Sequence, residues 1–142
     1  MAWSDAYVGL PWSSGGRTRA GLDCWGLVTL VLAEQRGIEL PSYAEDYTDA
    51  LEREEIAALI ARRPLDLVRP VAAGDERAFD LVLLRNRLLP DHIGVVVRPG
   101  LMLHVLRDSE SVCDPYDGPL WCRRIVGFFR APEPDPGLPP TP

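Results

Sequence analysis

From Trp25 to Ala33 the chain reads Trp-Gly-Leu-Val-Thr-Leu-Val-Leu-Ala, apolar on nearly every side of a helix. Such a helix cannot lie on a surface. It has to be covered all round. Both of its ends are marked. Asp23 can cap the start. Gly37 suits the left-handed residue that closes a helix, and Pro41 stops any continuation. The pattern predicts a buried helix over residues 23–36.

The cover for this helix lies downstream. Residues 65–68, 79–85, 92–98, 101–107 and 121–130 are short, rich in Val, Leu and Ile, and separated by turn signals, so they read as strands. Pro99-Gly100 marks a hairpin between the third and fourth of them. Thr48 can cap a second, amphipathic helix over 49–63 that Pro64 ends. A helical turn is expected over 4–8 and a Gly-, Ser- and Arg-rich loop over 11–21. Helices first and strands after imply an α+β fold, the apolar helix packed on an antiparallel sheet. The 142 residues suit one domain, assigned to 1–130. Residues 131–142 hold six prolines and read as an extended tail, a candidate tether.

Composition removes several function classes. The net charge is −6 and no basic stripe is visible, which argues against nucleic acid as a partner. No apolar run approaches the roughly 20 residues of a membrane span, so no membrane insertion is expected. Met1-Ala2-Trp3-Ser4-Asp5 lacks the basic and apolar regions of a secretory signal. The expectation is synthesis in a reducing cytoplasm. Three cysteines without CxxC spacing suggest neither a disulfide framework nor a zinc ribbon. Cys113 and Cys122 read as buried thiols flanking a turn over 114–118.

Cys24 opens the apolar helix, and the chain's two histidines, His92 and His104, lie in strand-like segments. A thiol at a helix N-terminus is biased toward thiolate, and imidazole titrates near neutrality. These are the parts of a cysteine hydrolase, with Cys24 as nucleophile, His92 as base and His104 as its orienter. The same residues also fit a packed thiol with two structural histidines, or three zinc ligands. Strand parity leaves the matter open. A regular two-residue Pro99-Gly100 loop pairs Val95 with His104 and sends the histidines to opposite faces. An odd loop or a bulge brings them to one face.

The motifs go further. Tyr7-Val8-Gly9-Leu10-Pro11-Trp12, Gly15-Gly16-Arg17, Asp23-Cys24-Trp25-Gly26-Leu27-Val28, Gly37-Ile38-Glu39-Leu40-Pro41 and His92-Ile93-Gly94-Val95-Val96-Val97 occur in that order. Together they resemble the NlpC/P60 cysteine peptidase family. Trp25 in place of the usual Ser, with the run Trp-x-x-Arg-Ile-x-Gly-Phe-Phe-Arg over 121–130, is similar to the branch found in phage tails and gene transfer agents. Phe79-Asp80 stands where the family more often has Gly-Asp.

The resemblance implies a papain-like α+β fold and hydrolysis of peptidoglycan stem peptides, typically between D-glutamate and a diamino acid, with no cofactor. It implies Cys24, His92 and His104 as the triad and Tyr7 near the oxyanion site. Asp23, besides its capping chemistry, would meet the free amino terminus of the stem peptide. Arg17 or Arg19 would meet substrate carboxylates, and the Cys24 N–H would be an oxyanion donor. Carriage on a tail tip, with hub or baseplate proteins as partners, would bring the enzyme to the cell wall. The competing readings are a structural baseplate part on the same fold and a cytoplasmic cysteine hydrolase or acyltransferase.

Overall fold

The computed structural model describes residues 2–40, 68–86 and 89–132. A 3-10 helix, Trp3–Tyr7, leads to a two-stranded ribbon, β1 (Arg17–Thr18) with β2 (Gly21–Leu22), and then to α1 (Cys24–Arg36). The strands β3 (Arg69–Val71), β4 (Leu81–Asn86), β5 (Leu89–Arg98), β6 (Leu101–His104), β7 (Val112–Pro115) and β8 (Ile125–Arg130) form one antiparallel sheet in the order β3-β8-β4-β5-β6-β7. The helix-on-antiparallel-sheet expectation holds. The helix expected over 49–63, most of the strand at 65–68 and the tail from 133 lie outside the described residues. Among the described residues no helix is long and apolar enough to cross a membrane.

α1 starts and stops as its chemistry dictates. Asp23 is the N-cap and accepts a hydrogen bond from the Gly26 N–H at 2.7 Å. Gly37 closes the helix at φ 65°, its N–H returned to the Ala33 and Leu32 carbonyls. Cys24, Trp25, Gly26, Leu27 and Val28 are all buried, so the first turn and a half is covered on every side. Farther along only Val31 and Leu32 are buried, and the helix keeps a half-exposed flank. A Cβ at Gly26 would stand 2.0 Å from the Gly16 carbonyl oxygen. The Gly15-Gly16 loop therefore lies on the helix at a distance only glycine permits.

The sheet has two apolar faces. α1 packs against β5 and buries with Leu81, Leu83, Ile93, Val95 and Leu103. On the opposite face Val82, Leu84, Val96 and Met102 bury with Tyr116, Trp121 and Phe128, supplied by the segment that returns to β8. The chain before the ribbon is stitched to the segment before β7. Gly9 N–H donates to the Ser111 carbonyl at 2.8 Å, and the buried Ser111 hydroxyl accepts from Leu10 N–H while donating to the Tyr7 carbonyl.

Two elements differ from expectation. The 11–21 loop contains the β1–β2 ribbon. The segment read as a turn over 114–118 begins as strand β7, whose register with β6 runs from Leu101↔Pro115 to His104↔Val112. Cys122 is exposed and Cys113 half-buried, which corrects their reading as a pair of buried thiols.

Candidate active site

Both histidines are brought to one face of the sheet, and the register explains how. β5 and β6 pair Val95↔Leu103 and Val96↔Met102, then Arg98↔Leu101, so Val97 is left without a partner. This one-residue bulge undoes the parity of the two-residue Pro99-Gly100 turn. His92 and His104 then meet, His92 Nε2 lying 2.8 Å from His104 Nδ1. Gly94 makes the space between them. A Cβ there would lie 3.3 Å from the His104 Cβ and 3.1 Å from the Leu103 carbonyl oxygen.

The pair is dry. His92 is 7% exposed and His104 fully buried. Trp121 roofs both rings, stacked on His92 at 5.7 Å between centroids and edge-on to His104 at 5.3 Å. Burial, with His104 adding to it, pushes the His92 imidazole down to about 3. Burial also pushes His104 down, against the opposing pull of Asp114. At neutral pH both rings are uncharged. Behind them Asp114 Oδ2 lies 2.7 Å from His104 Nε2. The segment read as a turn over 114–118 therefore begins in strand β7 and carries a carboxylate into the site. Neither Asp114 nor Trp121 stands out in the sequence, since an Asp before a Pro reads as a turn and a lone Trp reads as core.

Cys24 is the first residue of α1, 6% exposed, and sits in the core shared with the sheet. The helix N-terminus favours an anionic sulfur. Asp23, next to it, would oppose that charge. Arg17 offsets it through a 2.7 Å ion pair with Asp23 Oδ1, both groups largely withdrawn from water. The body of α1 covers the face opposite the histidines.

Two residues named for the site, Tyr7 and Asp23, are held by partners within the fold. Tyr7 is fully buried, its hydroxyl donating to Glu34 Oε1 at 2.8 Å and accepting from the Gln35 amide at 3.0 Å. Those residues lie ten and eleven positions beyond Cys24, about 15 Å along the helix axis at 1.5 Å per residue. The Tyr7 hydroxyl is thus tied to the far end of α1. Asp23 is also fully buried, with Oδ1 held by the helix cap and by Arg17. It caps and anchors the helix. Arg17 is engaged in that anchor, and Arg19 is paired with Glu34 through two 2.7 Å hydrogen bonds. Among the described residues no three His, Cys, Asp or Glu side chains are grouped to hold a metal ion.

A model of the NlpC/P60 family matches residues 9–130. The chain is 28% identical over 118 residues to murein DD-endopeptidase MepS/murein LD-carboxypeptidase of Escherichia coli K12, a match covering 83% of this chain and 54% of that protein. This chain thus spans about half the length of that relative. Among solved structures it is similar to an NlpC/P60 family protein from Bacillus cereus, with TM-score 0.65 and 17% identity over 90% of this chain and 37% of that one. It is also similar to the NlpC/p60 domain of the peptidoglycan hydrolase SagA, with TM-score 0.59 and 16% identity over 91% and 92%. At these identities the solved structures speak for the fold. The family match takes in the capped helix, both histidine strands and the last strand of the sheet, and by it this chain belongs to the NlpC/P60 family.

Proposed function

We propose that the chain is a cysteine peptidase acting on peptidoglycan stem peptides, with Cys24 as nucleophile, His92 as base and His104 as the group that orients it. The observation that carries this reading is the buried, hydrogen-bonded His92–His104 pair on β5 and β6, with Cys24 opening the helix that packs on β5. The names of two relatives, a murein endopeptidase and a peptidoglycan hydrolase, support the substrate class. The finer bond assignment, D-glutamate to a diamino acid, rests on the motif resemblance.

The chemistry follows from the protonation states. An uncharged His92 is a proton acceptor at neutral pH. It takes the Cys24 proton as sulfur attacks the peptide carbonyl, and returns that proton to the leaving amine. Water then hydrolyses the thioester. The imidazolium formed in between is costly in so dry a place, and the adjacent anion supplies the countercharge.

Delivery on a phage-like tail tip is the finer reading of where the enzyme works. It is supported by Trp25 and by the Trp-x-x-Arg-Ile-x-Gly-Phe-Phe-Arg run. Particles depleted of the protein should assemble tails and fail to deliver DNA, and rescue of delivery by Cys24→Ala would make the protein a structural part.

The test of the activity is digestion of purified peptidoglycan by wild type, Cys24→Ala, His92→Ala and His104→Asn, with products weighed by mass spectrometry. Cys24→Ala and His92→Ala should release nothing, whereas His104→Asn should keep part of the activity. Equal digestion by wild type and Cys24→Ala would reject the peptidase. The alkylation rate of Cys24 against pH, with and without His92, reports whether thiol and imidazole are coupled.

A further inference from the structure

We infer that Asp114 is a positioning residue for the His92–His104 pair, and that it decides which ring nitrogen of each histidine carries the proton. The inference rests on the proposed peptidase reading for its kinetic consequences, but not for its chemistry.

A carboxylate only accepts hydrogen bonds. The 2.7 Å contact to Asp114 Oδ2 therefore puts a proton on His104 Nε2. A neutral imidazole has one such proton, so His104 Nδ1 holds a lone pair. That lone pair faces His92 Nε2 at 2.8 Å, which must then be the donor. His92 is left with its lone pair on Nδ1, open to accept a proton. The reverse order is just as good for the two rings alone. With His104 Nδ1–H donating to His92 Nε2, the His92 proton sits on Nδ1 and no base remains. Asp114 breaks this symmetry. It also faces the positive charge that develops when His92 is protonated, two hydrogen bonds away.

The placement suits the role. Asp114 is 34% exposed and His104 is fully buried, so the charge stays near water while its effect is carried inward. Its reach depends on β7 pairing with β6, which sets Asp114 opposite Met102 and diagonal to His104. The titratable groups along this line are His92 on β5, His104 on β6 and Asp114 on β7. Cys113 senses both Asp114 and, from the N-terminal turn, Asp5.

The experiment records imidazole 15N shifts and the pH profile of kcat/KM for wild type, Asp114→Asn and Asp114→Ala. In wild type both histidines should carry the proton on Nε2. In Asp114→Ala the tautomers should mix, kcat/KM should fall roughly 10- to 100-fold, the range for groups that orient a functional imidazole from behind, and KM should stay level. The ascending limb of the profile, which reports loss of the proton from His92, should move to lower pH in both variants, because the imidazolium loses its carboxylate. Asp114→Asn can still accept from His104 Nε2, so it should keep the tautomers while losing rate, and it serves if the alanine variant does not fold. Wild-type tautomers and an unmoved profile in both variants would overturn the inference. A wild type that cleaves no peptidoglycan yet shows Nε2 tautomers that mix on Asp114→Ala would reject the function and uphold Asp114.

Discussion

His92 Nε2 and His104 Nδ1 stand 2.8 Å apart because Val97 is skipped in the pairing of β5 with β6. The bulge is a local irregularity with a chemical result. Without it the two rings would point to opposite faces of the sheet. Gly94 completes the device by leaving the space that the His104 side chain enters.

Gly94→Ala should therefore disturb the site more than the fold. The new methyl would press on the His104 Cβ at 3.3 Å and the Leu103 carbonyl oxygen at 3.1 Å, so the pair must shift by a few tenths of an ångström. Overpacking of this kind costs about 1–3 kcal/mol. A displacement near 1 Å at a reacting group can cost roughly 100-fold in rate. Urea unfolding and peptidoglycan digestion on the same sample separate the two. Full activity with lowered stability would show that the rings tolerate the shift.

Acid should unfold the protein through its histidines. His92 titrates near 3 in the folded chain, against 6.5 for the free side chain. Between those values the unfolded chain holds a proton that the folded one excludes, so stability falls as pH falls. The loss begins near pH 6.5 and is complete near 3. His104 acts in the same direction. His92→Gln removes one of the two groups and should flatten the fall in unfolding free energy between about pH 6.5 and 4. An unchanged slope would mean that other groups carry the acid transition.

What the sequence made legible is what is decided locally. α1 could be read with both ends because its cap, its apolar run and its closing glycine all lie within one stretch of chain. The strands β4, β5 and β6 were legible from their apolar content. β7 was not, since Val-Cys-Asp-Pro has little strand propensity and exists as a strand only through pairing with β6. Missing that strand hid Asp114. The histidine register was left open because no residue near Val97 signals a bulge. The partners of Tyr7 were hidden for another reason. Its sequence motif is near that of Cys24, but the five-residue turn Trp3–Tyr7 aims its hydroxyl at Glu34.

Phe79 occupies a glycine conformation. Its φ is 73°, in the left-handed region that costs an ordinary residue about 1–2 kcal/mol. It is held there by its N–H to the Val96 carbonyl at 2.8 Å, by stacking on Trp3 at 4.5 Å, and by Asp80, which Arg130 clamps with two hydrogen bonds. Phe79→Gly and Phe79→Ala both lose the ring, but only the glycine variant sheds the strain. Phe79→Gly should be the more stable of the two by about 1 kcal/mol, the reverse of the usual order. Thermal melts of the pair decide it, and alanine equal to or above glycine would show that the backbone relaxes once the ring is gone.

Trp121 combines a needed ring with an unneeded polar atom. Its indole nitrogen is buried without a hydrogen-bond partner among the described residues. An orphaned donor of this kind costs about 1–3 kcal/mol. Trp121→Phe removes that atom and keeps an aromatic roof, losing some apolar contact, so its stability should stay within about 1 kcal/mol of wild type. Trp121→Ala should lose about 3–5 kcal/mol as a cavity opens over the two imidazoles. Water entering that cavity would relieve the burial that depresses His92. The His92 titration, followed by NMR, should then rise toward the ordinary imidazole range in the alanine variant and stay low in the phenylalanine one. A phenylalanine variant as unstable as the alanine one would show that the indole N–H does have a partner worth keeping. An unmoved titration in Trp121→Ala would show that the histidines are kept dry by the sheet and not by this ring.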